Sequence, residues 1–142
     1  MNPQDGRVVS NFIVQALKDE DMTVYGGGKQ TRSFQYIHDL IDGLIALMNS
    51  DVTDPVNLGN NDEFAIGDFA LLVRDTVAEL QQKKPEDYRI VDRPMPKDDP
   101  QKRRPDTTRA KELLGWQPRW SLDMGLGEMV RYYKAKMVEG SI

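Results

Sequence analysis

No cysteine occurs in the 142 residues. That excludes a disulfide framework, a thiolate metal centre and a cysteine nucleophile, and it fits a reducing compartment. Histidine is reduced to a single residue, His38. A histidine metal cluster or a Ser-His-Asp triad would have to rest on that one ring beside an apolar helix, so His38 reads as a structural or surface residue. The acidic residues show no metal-loop spacing, and no metal is assigned. A basic excess is missing too: Lys and Arg number 19 against 23 acidic residues, for a net charge of -4 and a pI near 5.0. No global field favours nucleic acid or an anionic membrane, so any anion site must be local. No apolar run approaches the roughly 20 residues of a spanning helix, and the opening MNPQDGR has no signal region. As given, the chain reads as soluble and cytoplasmic. Repeats, heptads and low-complexity tracts are absent as well.

What is present is a balanced globular composition, 39% hydrophobic and 30% charged, in a chain long enough to bury one sizeable core. After an opening loop, Val8, Val9, Phe12, Ile13, Ala16 and Leu17 recur at helical spacing from Arg7. Val24 and Tyr25 read as a strand end and Ser33 to Ile37 as a second strand. Asp39 is expected to cap a deeply buried helix carrying Leu40, Ile41, Leu44, Ile45, Leu47 and Met48. Val56-Asn57-Leu58 reads as a short strand, and Ile66 to Leu80 as the clearest amphipathic helix. Tyr88 to Arg93 reads as a strand closed by Pro94 and Pro96. A charged loop, KDDPQKRRPD, leads to a short helix capped by Asp106 and ended by Gly115; Ser121 then caps the last helix. Trp116, Trp120 and Phe34 read as core, and Tyr36 as either a channel residue or a strand tyrosine packed on the second helix. The expected whole is one mixed α/β unit over residues 1–142, without a βαβ unit for a cofactor site of its own.

Residues 23–32, TVYGGGKQTR, concentrate an aromatic ring, three glycines and a fixed cation. The glycines permit a sharp turn, and Arg32 places a planar, permanently charged fork at its mouth, a shape suited to a diphosphate. It is not a P-loop, because Gly28-Lys29 is followed by Gln30 and Val24 stands where the earlier glycine belongs. Nor is it a dinucleotide fingerprint: Thr31 stands where the third glycine belongs, and a β-prone run follows instead of a helix. A glycine-rich hairpin with Arg32 as a solvated charge is the competing reading of the motif alone. Lys102, Arg103 and Arg104 form a second basic cluster, which by itself reads as a solvated charge group balanced by Asp98 and Asp99.

Taken in order, RVVSNFI, TVYGGGKQTRSFQYIHDLIDGL, PVNLGN, DDPQKRRPD, AKELLGWQP and SLDMGL resemble one family along essentially the whole chain. The chain is similar to the C-terminal half of UDP-glucuronic acid decarboxylases (UDP-xylose synthases), extended short-chain dehydrogenase/reductases. YGxGxQTR and the RPD element recur across nucleotide-sugar epimerases and dehydratases, whereas RVVSNF, QTRSFQY and DDPQKRRPD together point to the decarboxylase branch. The implied fold is α/β, the substrate-binding part without its N-terminal Rossmann core.

The resemblance also implies roles. Arg7, Val8, Ser10 and Asn11 would pass the uracil and ribose, Tyr25 would lie against the uracil face, and Arg32 and Arg103 would converge on the diphosphate; Arg104 is a weaker candidate, read as structural. The implied reaction oxidises the glucuronosyl C4 hydroxyl, loses carbon dioxide from the resulting β-keto acid, and returns the hydride to give UDP-xylose. Its NAD is recycled and held by the missing N-terminal half, which also carries the Tyr-x-x-x-Lys pair, so no catalytic residue is assigned here. Tyr132 and Lys136 have that spacing but lie in the last helix and read as coincidence. Met1 falls where the family has an internal methionine, and a fragment beginning inside a gene is expected. Ala65 stands where the family offers a hydroxyl cap for the third helix. The expected partners are a UDP-sugar, the missing Rossmann half and, for a full-length protein, a second copy; a longer relative would be cytosolic or Golgi-anchored. Without its partner half the chain would expose an apolar surface. A sibling epimerase or 4,6-dehydratase, and a non-catalytic nucleotide-binding remnant, are the alternatives.

Overall fold

The computed structural model describes residue 2, residues 4–95 and residues 102–142. Helix α1 (Val8–Leu17) buries Phe12, Ile13, Ala16 and Leu17, the stripe that its spacing predicts. Helix α3 (Ile66–Gln81) answers with Phe69, Ala70, Val73 and Val77, and α5 (Leu122–Val138) with Leu126, Val130 and Tyr133. These three faces make the core, with Phe12 and Phe69 rings 6.1 Å apart. Caps follow local chemistry. Ser121 Oγ accepts the Met124 N–H at the start of α5, Gly115 ends α4 (Thr108–Leu114) at φ 62, and Ala65 precedes α3 with no side-chain cap. The formal cap of α4 is Thr107, but the Asp106 carboxylate accepts both the Thr108 N–H and its hydroxyl. Those bonds hold the Asp106 pKa below the usual carboxylate value, the side-chain bond contributing most.

The strands form two small sheets. β1 (Met22–Tyr25) runs parallel to β4 (Ile90–Arg93), pairing Met22 with Ile90 and Tyr25 with Arg93. β2 (Thr31–Ser33) is the centre of the other sheet, antiparallel to β3 (Glu63–Ala65) and parallel to β5 (Lys102–Arg103). The α/β expectation is therefore met, with differences of detail. The second strand ends at Ser33, where its ladder partners end, and Gln35 and Tyr36 lead directly into α2 (Ile37–Met48). Inside the charged loop, Lys102–Arg103 form strand β5. Pro96 and the loop residues 97–101 lie outside the described residues.

Three expectations are overturned. Asp39 does not cap α2: Tyr36 holds that position, and Asp39 sits in the first turn, 1% exposed. Its carboxylate accepts the backbone N–H groups of Arg119 and Trp120 at 2.9 and 3.0 Å. Helix α2 is also not deeply buried: its buried positions are Asp39 and Gly43, while Ile37, Ile41, Leu44, Ile45 and Met48 are exposed. Likewise Val56 to Leu58 joins no ladder with any described residue.

Candidate functional site

The glycine turn brings the site together. Gly26, Gly27 and Gly28 have φ of 58, 70 and 66°, a left-handed run that side chains would resist. At Gly28 a Cβ would stand 2.6 Å from the Gly67 nitrogen, so the turn rests directly on the first residues of α3. The Asp92 carboxylate accepts the Gly27 N–H at 2.9 Å, and the Gln30 carbonyl accepts the Ile66 N–H at 2.9 Å. Gln15, from α1, accepts the Thr23 N–H at 3.2 Å and fixes the strand that ends at Tyr25. The Tyr25 ring is thereby left at a rigid strand end, 41% exposed.

Beyond the turn, Arg32 and Arg103 are register partners across the parallel β2–β5 pair. Residues aligned in this way project from the same face of a sheet, about 4.8 Å apart at the backbone. Arg32 Nη1 donates to the Thr31 carbonyl at 2.7 Å, and the Ser33 hydroxyl donates to the Arg103 carbonyl at 3.4 Å. Both side chains line the same cavity, so an anion entering it can accept from two guanidinium groups. Arg104 points to the other partner strand, 3.8 Å from the Glu63 carboxylate, which fits its structural reading.

Tyr25, Arg32 and Arg103 line one cavity of about 1000 Å³, together with Arg7, Val8 and Asn11. Tyr25 and Arg32 are close in sequence, but Arg103 and the start of α1 reach the same space only through folding. Arg7 is 70% exposed at its side chain, its Nε 3.0 Å from the Asp5 carboxylate. Asn11 donates to the Gly6 carbonyl. Ser10 is the exception: it is fully buried, its hydroxyl donates to the Arg7 carbonyl, and it does not reach the cavity wall.

The far wall was not fully legible beforehand. Tyr36 and Trp120 stack at 4.2 Å and both line the cavity, as does Phe34, itself stacked on Phe69 at 4.3 Å. Trp116, read as core with Trp120, is buried and donates its indole N–H to the Asp39 carbonyl. Gln30 and Gln35 also line the cavity, and each keeps one buried carboxamide atom unpartnered among the described residues, Gln30 Oε1 and Gln35 Nε2. His38 is exposed, edge-on to Tyr36 and Trp120.

The described residues do not fit a nicotinamide dinucleotide. The glycine turn leads into strand β2 and not into a helix of its own, and its Gly28 is packed against the backbone of Gly67 at the start of α3, so it lacks the strand–turn–helix order that receives a pyrophosphate. Tyr132 and Lys136 lie on α5 outside the cavity, the ammonium 5.9 Å over the ring and paired with Glu139. Among the described residues no acidic or histidine cluster could hold a metal, and no helix is long and apolar enough to cross a membrane.

Comparison with known proteins places this geometry among nucleotide-sugar enzymes. Residues 3–129 match the family model described as GDP-mannose 4,6 dehydratase. UDP-glucuronic acid decarboxylase 1 of Danio rerio is 49% identical over 137 residues, covering 96% of this chain and 31% of the relative. UDP-glucuronic acid decarboxylase 2 of Arabidopsis thaliana is 49% identical over 133 residues, covering 94% of this chain and 28% of the relative. The chain thus spans about a third of the length of these curated relatives. Among solved structures, UDP-glucose 4-epimerase of Thermotoga maritima with UDP-glucose superposes with a TM-score of 0.83 at 27% identity, covering 96% of this chain and 42% of that one. UDP-glucuronic acid 4-epimerase of Bacillus cereus, in complex with UDP-glucuronic acid and NAD, gives 0.77 at 25%, covering 92% and 40%.

Proposed function

Because the chain belongs to the GDP-mannose 4,6-dehydratase family of nucleotide-sugar enzymes, we propose that it is the UDP-sugar-binding part of a UDP-glucuronate decarboxylase. The observation that carries this reading is the register pairing of Arg32 with Arg103 on the wall of a cavity that also holds Tyr25. In this reading the uracil lies on Tyr25, with backbone groups near Val8 at its edge and Arg7 and Asn11 beside the ribose. The diphosphate bridges the two guanidinium groups, which neutralise its charge and fix where the sugar projects. Tyr36 and Trp120 wall the remaining space. NAD and the proton-transferring tyrosine belong to a nucleotide-binding unit that accompanies this part in the active enzyme, so this chain binds and orients substrate without turning it over. The names of the curated relatives favour the decarboxylase over a sibling epimerase, and product analysis of the complete enzyme separates the two.

Calorimetric titration of the 142-residue chain with UDP tests the binding role. UDP binds, and Arg32→Ala or Arg103→Ala each weakens it roughly 10- to 100-fold, the effect of losing a charge-assisted contact. No heat with UDP at millimolar concentration, or variants that bind as the parent does, would sink the reading. Turnover of UDP-glucuronate by the chain with added NAD would contradict its non-catalytic half.

A further inference from the structure

The pairing of Arg32 with Arg103 depends on the shortest strand among the described residues. β5 is two residues long and meets β2 at two register positions, Thr31 with Lys102 and Arg32 with Arg103. β2 is the middle strand and β3 lies on its other side, so β3 and β5 share no backbone bond. What crosses between them is a side chain. Glu63, the first residue of β3, uses both carboxylate oxygens: Oε1 accepts the Thr31 hydroxyl at 3.0 Å, and Oε2 stands 3.8 Å from Arg104 Nη1.

Alternation along the strands separates this clamp from the arginine pair, because successive side chains point to opposite faces of a sheet. Arg32 and Arg103 are register partners and share one face. Glu63 is the register partner of Ser33, and Arg104, one residue past Arg103, comes level with Ser33, so Glu63 and Arg104 share the other face. Neither of them lines the cavity, whereas Arg32 and Arg103 do. The clamp therefore acts on the site from behind, without touching what the cavity holds.

Its effect is local. An exposed ion pair adds little to the stability of a whole domain, and the Arg104 side chain is 57% exposed. β5, however, has few other holds. The Ser33 hydroxyl donates to the Arg103 carbonyl only at 3.4 Å, and the next close contact downstream is Pro105, 2.6 Å from the Cβ position of Gly59. Lys102, Arg103 and Arg104 are three consecutive cations, and Glu63 is the one carboxylate in the three strands of this sheet.

We propose that Glu63 is a positioning residue for the anion site: by tying Thr31 and Arg104 across β2 it keeps β5 in register and so holds Arg103 on the same face as Arg32. The proposal rests on the reading above that these two arginines take the diphosphate, and it carries one test that does not need that reading.

That test uses no ligand. In 15N relaxation measurements on the 142-residue chain, Glu63→Ala lowers the backbone order parameter of Arg103 from about 0.85 to below about 0.6, while the residues of α3 keep theirs. Arg104→Ala does the same, and neither variant changes the melting temperature. An Arg103 that is unaffected by both substitutions, or already mobile in the parent, overturns the proposal. So does a loss of order that spreads through α3, which would make Glu63 a general support of the fold. The second test is calorimetric coupling with UDP. Glu63→Ala weakens UDP roughly 3- to 10-fold in the parent and again in an Arg32→Ala background, but changes it by less than about twofold in an Arg103→Ala background, where no side chain is left to position. Equal losses in the two backgrounds overturn the proposal. A parent chain that binds no UDP sinks the substrate reading, and the relaxation result then decides the positioning role by itself.

Discussion

Asp39 is an acidic side chain taken almost wholly out of water, and its environment explains how. Its two carboxylate oxygens accept the N–H groups of Arg119 and Trp120, while its own carbonyl accepts the Trp116 indole N–H. One residue therefore ties α2 to the α4–α5 connection and sets the place of the Trp120 ring against Tyr36. Replacing it with alanine strands two backbone donors in a buried site, at a cost of roughly 2–4 kcal/mol. Urea denaturation of Asp39→Ala measures this directly; a loss below about 0.5 kcal/mol, the scale of an ordinary surface change, would show that the bonds are dispensable. The same substitution frees the Trp120 backbone, and a flattened near-ultraviolet circular dichroism signal is the expected accompaniment.

Among the elements, the glycine turn and the end of α4 make a controlled comparison. Gly28 and Gly115 share a left-handed backbone, φ 66 and 62°, but differ in surroundings. An alanine Cβ at Gly28 meets Gly67 backbone atoms at 2.6 and 2.7 Å, whereas at Gly115 nothing lies within 4 Å. Gly115→Ala is expected to cost about 1 kcal/mol for the dihedral alone. Gly28→Ala must also part the turn from α3, roughly 2–4 kcal/mol in all, and displaces Tyr25 and Arg32. Denaturation of the two variants, with UDP affinity measured alongside, checks the order; similar costs would mean that the Gly28–Gly67 contact relaxes freely. Element existence was legible because caps and periodicity are local signals: Ser121, Gly115 and the α3 stripe all appear where the sequence puts them. Strand β2 was placed two residues late because a ladder ends where its partners end, and Glu63 and Arg103 are remote in sequence from Ser33.

In the molecule as a whole, Tyr133 sits fully buried in the core that α1, α3 and α5 share. Burial, the largest cause, pushes its phenol up to about 12, against about 10 for an unfolded tyrosine. Above roughly pH 10 the unfolded chain releases a proton that the folded chain keeps. The stabilisation is therefore complete below that pH and is lost as pH rises towards about 12. Tyr133→Phe is expected to reduce the fall of stability across this window in urea titrations at stepped pH. Tyr88, raised mainly by burial as well, leaves a smaller residual slope. An undiminished slope in the variant would place the alkaline sensitivity elsewhere.

The helices, the sharp glycine turn and the positions of the cationic residues follow from local chemistry, because each depends on side chains within a few neighbours. The sequence also contained the family pattern that led to Tyr25, Arg32 and Arg103. The tertiary structure alone decided that Arg32 and Arg103 become neighbours in one sheet, since a ladder joins residues far apart in the chain. It decided that Ser10 turns into the interior, that Asp39 is a tie and not a cap, and that Tyr36 and Trp120 share a wall. It also decided that the apolar stripe of α2 faces outward: hydrophobicity states that a surface must be covered, and only the packing of the other elements determines whether this chain covers it.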